Sequence, residues 1–241
     1  MSDKPSQDIS RMVDISGWKW LYRLGGSAAL VMAILIPIQI VAFIAWPPPT
    51  TVGDYFTLFQ HNRLLGMIDL DLLLIVDNVL SILLTLAMFI VLRRTNPSFT
   101  LVALVLGLIS IVLYLASREA TFSMVTLSDQ FAAATSDAQR QASLAAGQTL
   151  LTFYNGTIFN ISYILGATSL IIISAVMLQN HIFSRVIAWL GIVSNVIALG
   201  LYVPVVGLYI SIFSVVFLWV WDILMAGRLF QLAGLKPSPV N

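Results

Sequence analysis

Cysteine is absent from the 241 residues, which excludes disulfides, thiolate nucleophiles and cysteine-ligated metals. Redox usage therefore says nothing of the compartment. Charge is nearly as scarce. Only 10% of the residues are Asp, Glu, Lys or Arg, against about 25% in soluble globular domains. There are two histidines, His61 and His181. On the topology derived below they fall on opposite sides of a membrane, so no zinc site converges. No lysine lies inside an apolar run, which excludes a retinal Schiff base. HExxH, GxSxG and Glu-Glu-His arrangements are all missing, as are a Gly-rich phosphate loop and a basic nucleic-acid face. Metal and cofactor are accordingly not expected, and neither is a nucleic-acid partner.

What the chain has is apolar length. Hydrophobic residues make up 59% of it. A membrane helix needs about 20 mainly apolar residues to cross about 30 Å of hydrocarbon. Six runs meet that length: Leu21–Trp46, Leu64–Leu92, Phe99–Ser117, Leu150–Leu178, Ile182–Val203 and Val205–Phe230. The first is longer than a signal-peptide core, and Pro47–Pro49 follow it instead of a small-residue cleavage site. The expected fold is an all-α, polytopic bundle of six transmembrane helices over residues 21–233. A cytoplasmic or interfacial segment (1–20) precedes it, a helical outer loop (118–149) interrupts it, and a flexible tail (234–241) follows.

The basic residues orient this bundle. Lys4, Arg11, Lys19, Arg23, Arg93, Arg94, Arg185, Arg228 and Lys236 share one side of a six-span topology, against Arg63, Arg118 and Arg140 on the other. Nine to three is a large bias, and the positive-inside rule places both termini in the cytoplasm. The expected location is a prokaryotic plasma membrane. Trp18, Trp20 and Tyr22 suit the headgroup layer before span one, so membrane lipids are the first expected partners.

Local signals fill in the connections. Pro47–Pro49 end the first helix. A short interfacial helix is expected around Tyr55-Phe-Thr-Leu-Phe, and a tight turn at Arg93–Pro97. Ser136-Asp-Ala-Gln139 reads as a capping box opening a helix in the outer loop, which should form two short helices. Short turns are expected at Gln179-Asn-His181 and Tyr202-Val-Pro-Val. Asn155-Gly-Thr157 and Asn160-Ile-Ser162 match the glycosylation pattern but sit inside a span, which discounts both. Trp219 and Trp221 read as packing or belt residues.

The polar residues inside the spans carry the functional signal. A carboxylate at bilayer depth costs about 2.5–3.5 kcal/mol and needs a partner or a water-filled cavity. Asp77 is 16 residues from Arg93, about 24 Å by helical rise. Gln39 and Tyr163 fall about 24 Å, and Asn160 about 28 Å, from their own basic or polar anchors. A higher layer holds Asp69 and Arg118, each about 36 Å from Arg93 or Arg94. An Asp69–Arg118 pair across spans two and three is the expected ion pair. At 100° per residue Asp71 is about 120° from Asp77 and is read as reaching the headgroups. The expected ligand site is thus Asp77, Gln39, Asn160, Tyr163, Asp69 and Arg118, in a polar cleft open to the outside.

The order of several segments resembles a family of six-helix bacterial membrane proteins catalogued as domain of unknown function 4386. The residues are Gly53-Asp54, Asp69-Leu-Asp-Leu-Leu-Leu-Ile-Val-Asp77, Phe183-Ser-Arg-Val-Ile-Ala-Trp-Leu-Gly191, Tyr202-Val-Pro and Leu218-Trp-Val-Trp-Asp-Ile-Leu. The resemblance runs over residues 18–234 and implies the topology. It carries no activity to this chain.

Three functions fit these residues. The first is binding or transport of a small polar, cationic or lipid-headgroup ligand, with a cation favoured by the negative charge of the cleft. The second is an intramembrane enzyme pairing Asp77 with Asp69 or Glu119 on a lipid-like substrate, which needs one carboxyl of raised pKa beside another. The third is a structural or accessory subunit, in which a second copy of the chain is a candidate partner and the polar groups only join helices.

Overall fold

A computed structural model describes residues 17–234. The N-terminal segment to residue 16 and the tail from residue 235 lie outside the described residues. Within them the order is α1 (Lys19–Ala45), α2 (Val52–His61), α3 (Arg63–Asp69), α4 (Leu72–Leu92), α5 (Pro97–Ser117), α6 (Ala120–Ala133), α7 (Asp137–Tyr154), α8 (Thr157–Met177), α9 (Arg185–Ala198), a 3-10 turn (Leu199–Tyr202) and α10 (Gly207–Gly234). No strand occurs among the described residues.

Six stretches are long and apolar enough to cross a membrane: α1, α4, α5 with α6, α7 with α8, α9 with its 3-10 turn, and α10. The all-α, six-span fold is the one expected. Three spans differ in their bounds. Span two does not run unbroken from residue 64, because the helix stops at Asp69 and restarts at Leu72, with Asp71 at φ +66° between them. Span three extends well past its expected end, and span four begins well before its expected start. Pro97–Ala133 is 37 residues, about 55 Å of helix, so α6 and α7 form two helices that continue the spans.

Local chemistry explains the helix starts. Thr51 Oγ1 accepts from the Asp54 amide and opens α2 directly after the proline run. The Asn62 side chain does the same for α3 through the Leu65 amide. Ser136 and Gln139 form the expected reciprocal capping box at α7.

The chain divides into two compact units. One gathers residues 17–34, Val79–Ile111 and 164–234; the other is Leu35–Asn78 with Val112–Tyr163. In the first unit, Tyr22, Met88, Leu92, Met177, Trp221 and Leu229 lie in one buried core. Small residues bring α5 and α8 together there. A Cβ on Gly107 would stand 2.9 Å from Ser169 Oγ, and one on Gly166 would stand 2.7 Å from Ser110 Oγ. Ser169 Oγ donates to the Ala103 carbonyl at 2.6 Å. With apolar lipid outside, such close backbone approach replaces the hydrophobic effect as the force joining helices.

In the second unit, α2, α3, α6 and α7 share a core of Val52, Tyr55, Phe56, Phe59, Leu70, Ala120 and Met124. Ser128 Oγ donates to the Phe56 carbonyl at 3.0 Å and accepts from Gln60 Nε2 at 2.8 Å, which fixes α6 against α2.

Pro37 sits inside α1 and has no N–H to give the Ala33 carbonyl four residues back. Trp219 Nε1 donates to that carbonyl at 2.7 Å. The indole thus repairs a backbone gap that would otherwise cost about 1–3 kcal/mol. We expect Trp219→Phe to lower unfolding stability in detergent by about 1–3 kcal/mol. In a Pro37→Ala background, where an amide can reach Ala33, the same change should cost much less. Equal losses in both backgrounds would contradict this role.

Candidate functional site

The second unit holds the expected site residues, and the break between α3 and α4 organises them. Asp71 adopts the left-handed region, which Asp tolerates better than most residues. The Leu70 carbonyl, freed by the break, accepts from Thr121 Oγ1. This geometry turns the Asp71 side chain inward.

Arg118 meets it there. Arg118 Nε stands 2.8 Å from Asp71 Oδ2, and only 4% of Arg118 and 6% of Asp71 are exposed. The Tyr114 hydroxyl donates to the same Asp71 oxygen at 3.2 Å. Arg118 Nη1 donates to the Tyr154 carbonyl at 2.8 Å and to Ser117 Oγ at 3.2 Å. Three rings enclose the guanidinium, those of Tyr154, Tyr114 and Phe159, with centroids 4.0, 4.4 and 4.7 Å away. Each such contact contributes about 0.5–2 kcal/mol once desolvated. The cation is therefore paired, hydrogen-bonded through Nη1 and ringed by aromatic side chains.

The expected Asp69–Arg118 pair is thus corrected to Asp71–Arg118, and Asp71 does not reach the headgroups. The phase argument failed because it carried 100° per residue through a point where the helix breaks. Tyr114 could have been found, since it lies four residues before Arg118, in the last turn of α5. Tyr154 and Phe159 belong to other helices and left no comparable signal.

Asp69 takes a different position. It is 4% exposed, and its Oδ1 has no hydrogen-bond partner. Gln39, 3% exposed, donates through Nε2 to the carbonyl of Ile68, the residue before Asp69, at 3.1 Å. Its Oε1 is buried without a donor. Asp77, five residues into α4, also has a buried, unpartnered Oδ1. Tyr55 is buried on α2. Burial pushes its phenol up to about 12, and the nearby Asp69 and Asp71 carboxylates add to the rise. Among the described residues no group of three His, Cys, Asp or Glu side chains could hold a metal ion.

Asn160 and Tyr163 lie on α8. Asn160 Nδ2 donates to the Gly156 carbonyl at 2.9 Å and the Asn155 carbonyl at 3.2 Å, covering the gap between α7 and α8. Tyr163 packs on Phe159 with ring centroids 5.8 Å apart. Those contacts place Tyr163 one ring behind the Arg118 enclosure.

Removing one member of a buried ion pair strands the other, at about 3–5 kcal/mol. We expect that loss for Arg118→Met. Asp71→Asn added to Arg118→Met should recover much of it, whereas Asp69→Asn added to Arg118→Met should be additive within about 0.5 kcal/mol. Unfolding double-mutant cycles read both; coupling to Asp69 instead of Asp71 would reverse the assignment.

Comparison with known proteins adds one result. No curated protein and no solved structure matches the chain. A family model described as a domain of unknown function, DUF4386, matches residues 53–232. That match spans most of the chain and takes in parts of both units, the α3–α4 break, Arg118 and α10 up to residue 232. The chain belongs to the DUF4386 family of proteins.

Proposed function

We propose that this membrane protein binds a small cationic ligand, an ammonium group by preference, at Gln39, Asp69 and Asp77. The observation that carries the reading is that Gln39 Oε1, Asp69 Oδ1 and Asp77 Oδ1 are all buried without a donor. All three atoms are acceptors. A buried polar atom left unpaired costs about 1–3 kcal/mol, more when charged, so a set of one kind implies an absent donor. Two carboxylates, an amide oxygen and the Tyr55 ring suit an ammonium, which offers donors, charge and a cation–π face. Asn160 and Tyr163 are proposed walls of the same site. Arg118 is assigned no ligand contact, because its enclosure by protein favours a structural role for that residue alone.

The proposal extends to placement. The nine-to-three distribution of basic residues supports a prokaryotic plasma membrane with both termini cytoplasmic, and hence a site nearer the outer face. Because the chain has no cysteine, single cysteines report orientation cleanly. A membrane-impermeant maleimide should label Gln130→Cys in intact cells and leave Ser98→Cys unlabelled. The opposite pattern would invert the topology.

Binding is tested by thermal unfolding with tetramethylammonium, ethylammonium, sodium and a neutral amide as probes. A ligand held only by the native state stabilises it by about 2.7 kcal/mol at 100 times its Kd. We expect one of the ammonium probes to raise the melting point of the wild type and to leave Asp69→Asn and Asp77→Asn unmoved. Without ligand, Asp77→Asn should melt at or above the wild type, since it removes a buried unpaired charge. A lower ligand-free melting point with no response to any cation would favour helix joining over binding.

A further inference from the structure

A second candidate site lies in the first unit, beside the turn from α8 into α9. A cavity of about 450 Å³ there is lined by His181, Ser184, Ile187, Ile223, Leu224 and Arg228, among others. Its lining contains a guanidinium and an imidazole and no carboxylate. The turn that forms its floor is held in place. Asn180 Oδ1 accepts from the Ile182 amide at 2.8 Å, and Asn180 Nδ2 donates to Thr95 Oγ1 at 3.0 Å. Ile182 and Phe183, both buried, also line the cavity.

Arg228 is half committed. Its Nε donates to the Ile182 carbonyl at 2.5 Å and its Nη1 to Gln231 Oε1 at 3.0 Å. Among the described residues Nη2 has no acceptor. Nε is thus fixed by a backbone carbonyl and Nη1 by the Gln231 side chain, which orients the head with little entropy left to lose and leaves Nη2 for the cavity. Ile223 and Leu224, also on the lining, are exposed apolar residues on α10, a helix long and apolar enough to cross a membrane. A ligand here meets a cation and polar donors at one end and an apolar wall at the other.

We propose that this cavity binds the phosphate headgroup of an anionic phospholipid, its acyl chain lying along Ile223 and Leu224. Arg228 Nη2 donates to a phosphate oxygen, with His181 and Gln231 at the rim. The position suits the source. The same unit carries Arg23, Arg93 and Arg94 at helix ends, a set that draws anionic lipid to this region.

Gly227 supplies a clean test. A Cβ there meets nothing within 4 Å, and Gly227 lines the cavity. Leucine at this position fills the space without removing a contact, and alanine serves as the control. The probes are dioleoyl phosphatidylglycerol, dioleoyl phosphatidylcholine and soluble glycerol 3-phosphate. They are titrated into the full chain in dodecyl maltoside and read by native mass spectrometry and melting point.

We expect phosphatidylglycerol to bind wild type and Gly227→Ala alike. Gly227→Leu and Arg228→Gln should bind it roughly tenfold more weakly, the loss of one charge-assisted contact or of the space for it. Phosphatidylcholine should bind the wild type no more tightly than those two variants bind phosphatidylglycerol. Three results would overturn the proposal: retention of full phosphatidylglycerol affinity in Gly227→Leu, equal affinity for phosphatidylcholine, or an equal response to glycerol 3-phosphate alone. The last would make the ligand a soluble phosphate compound. Should Arg228→Gln fail to fold, Gly227→Leu decides the matter alone.

Discussion

A guanidinium taken out of water needs a counter-charge, acceptors and a polarisable surround, and in this protein Arg118 has all three. Asp71 neutralises it, the Tyr154 carbonyl accepts from it, and three rings close around its faces. Meeting that demand shapes the second unit. Asp71 reaches Arg118 because the helix breaks before it, and the break leaves Asp71 in a left-handed conformation that costs about 1–2 kcal/mol. The freed Leu70 carbonyl then needs Thr121. One buried cation thereby fixes the end of α3, the start of α4 and the contact of both with α6. A replacement by apolar residues could be as stable; what the charge adds is a single geometry.

The same rule separates structure from function inside the unit. Where a polar group has its full set of partners, its role is complete within the fold. Arg118 and Asp71 are paired with each other in this way, and the Ala33 carbonyl is met once Trp219 replaces the amide that Pro37 lacks. Gln39, Asp69 and Asp77 each retain an acceptor with nothing to accept from. Gln39 Oε1, Asp69 Oδ1 and Asp77 Oδ1 agree with one another in being acceptors. A protein that kept such atoms only for packing would be more stable with leucine and asparagine in their place. On the proposed reading, retaining them is the trade of stability against activity that binding sites show.

Much of this was legible in the sequence, and the failures have physical causes. Six spans followed from run length, because lipid demands about 20 apolar residues and nothing else supplies them. The capping box at Ser136 and Gln139 was visible because its logic is local. Gln39, Asp69 and Asp77 stood out because polar residues in apolar runs are rare. Asp71 was misread for the opposite reason: its orientation depends on a break at Leu70–Asp71 that no glycine or proline marks. Trp219 read as packing, because its true partner is a backbone carbonyl more than 180 residues away, exposed by a proline whose consequence is invisible without the fold. The enclosure of Arg118 joined residues from three helices, and only the Tyr114 spacing could have hinted at it.

The central claim is that the buried acceptors of Gln39, Asp69 and Asp77 face a ligand. The most direct measurement is an experimental density map of the wild-type chain in a lipid nanodisc, with and without an ammonium probe. The account requires density outside the polypeptide within about 3 Å of Gln39 Oε1 and Asp69 Oδ1, strengthened by the probe. Acceptors turned onto protein donors, with no space beside them and no change on adding the probe, would contradict it.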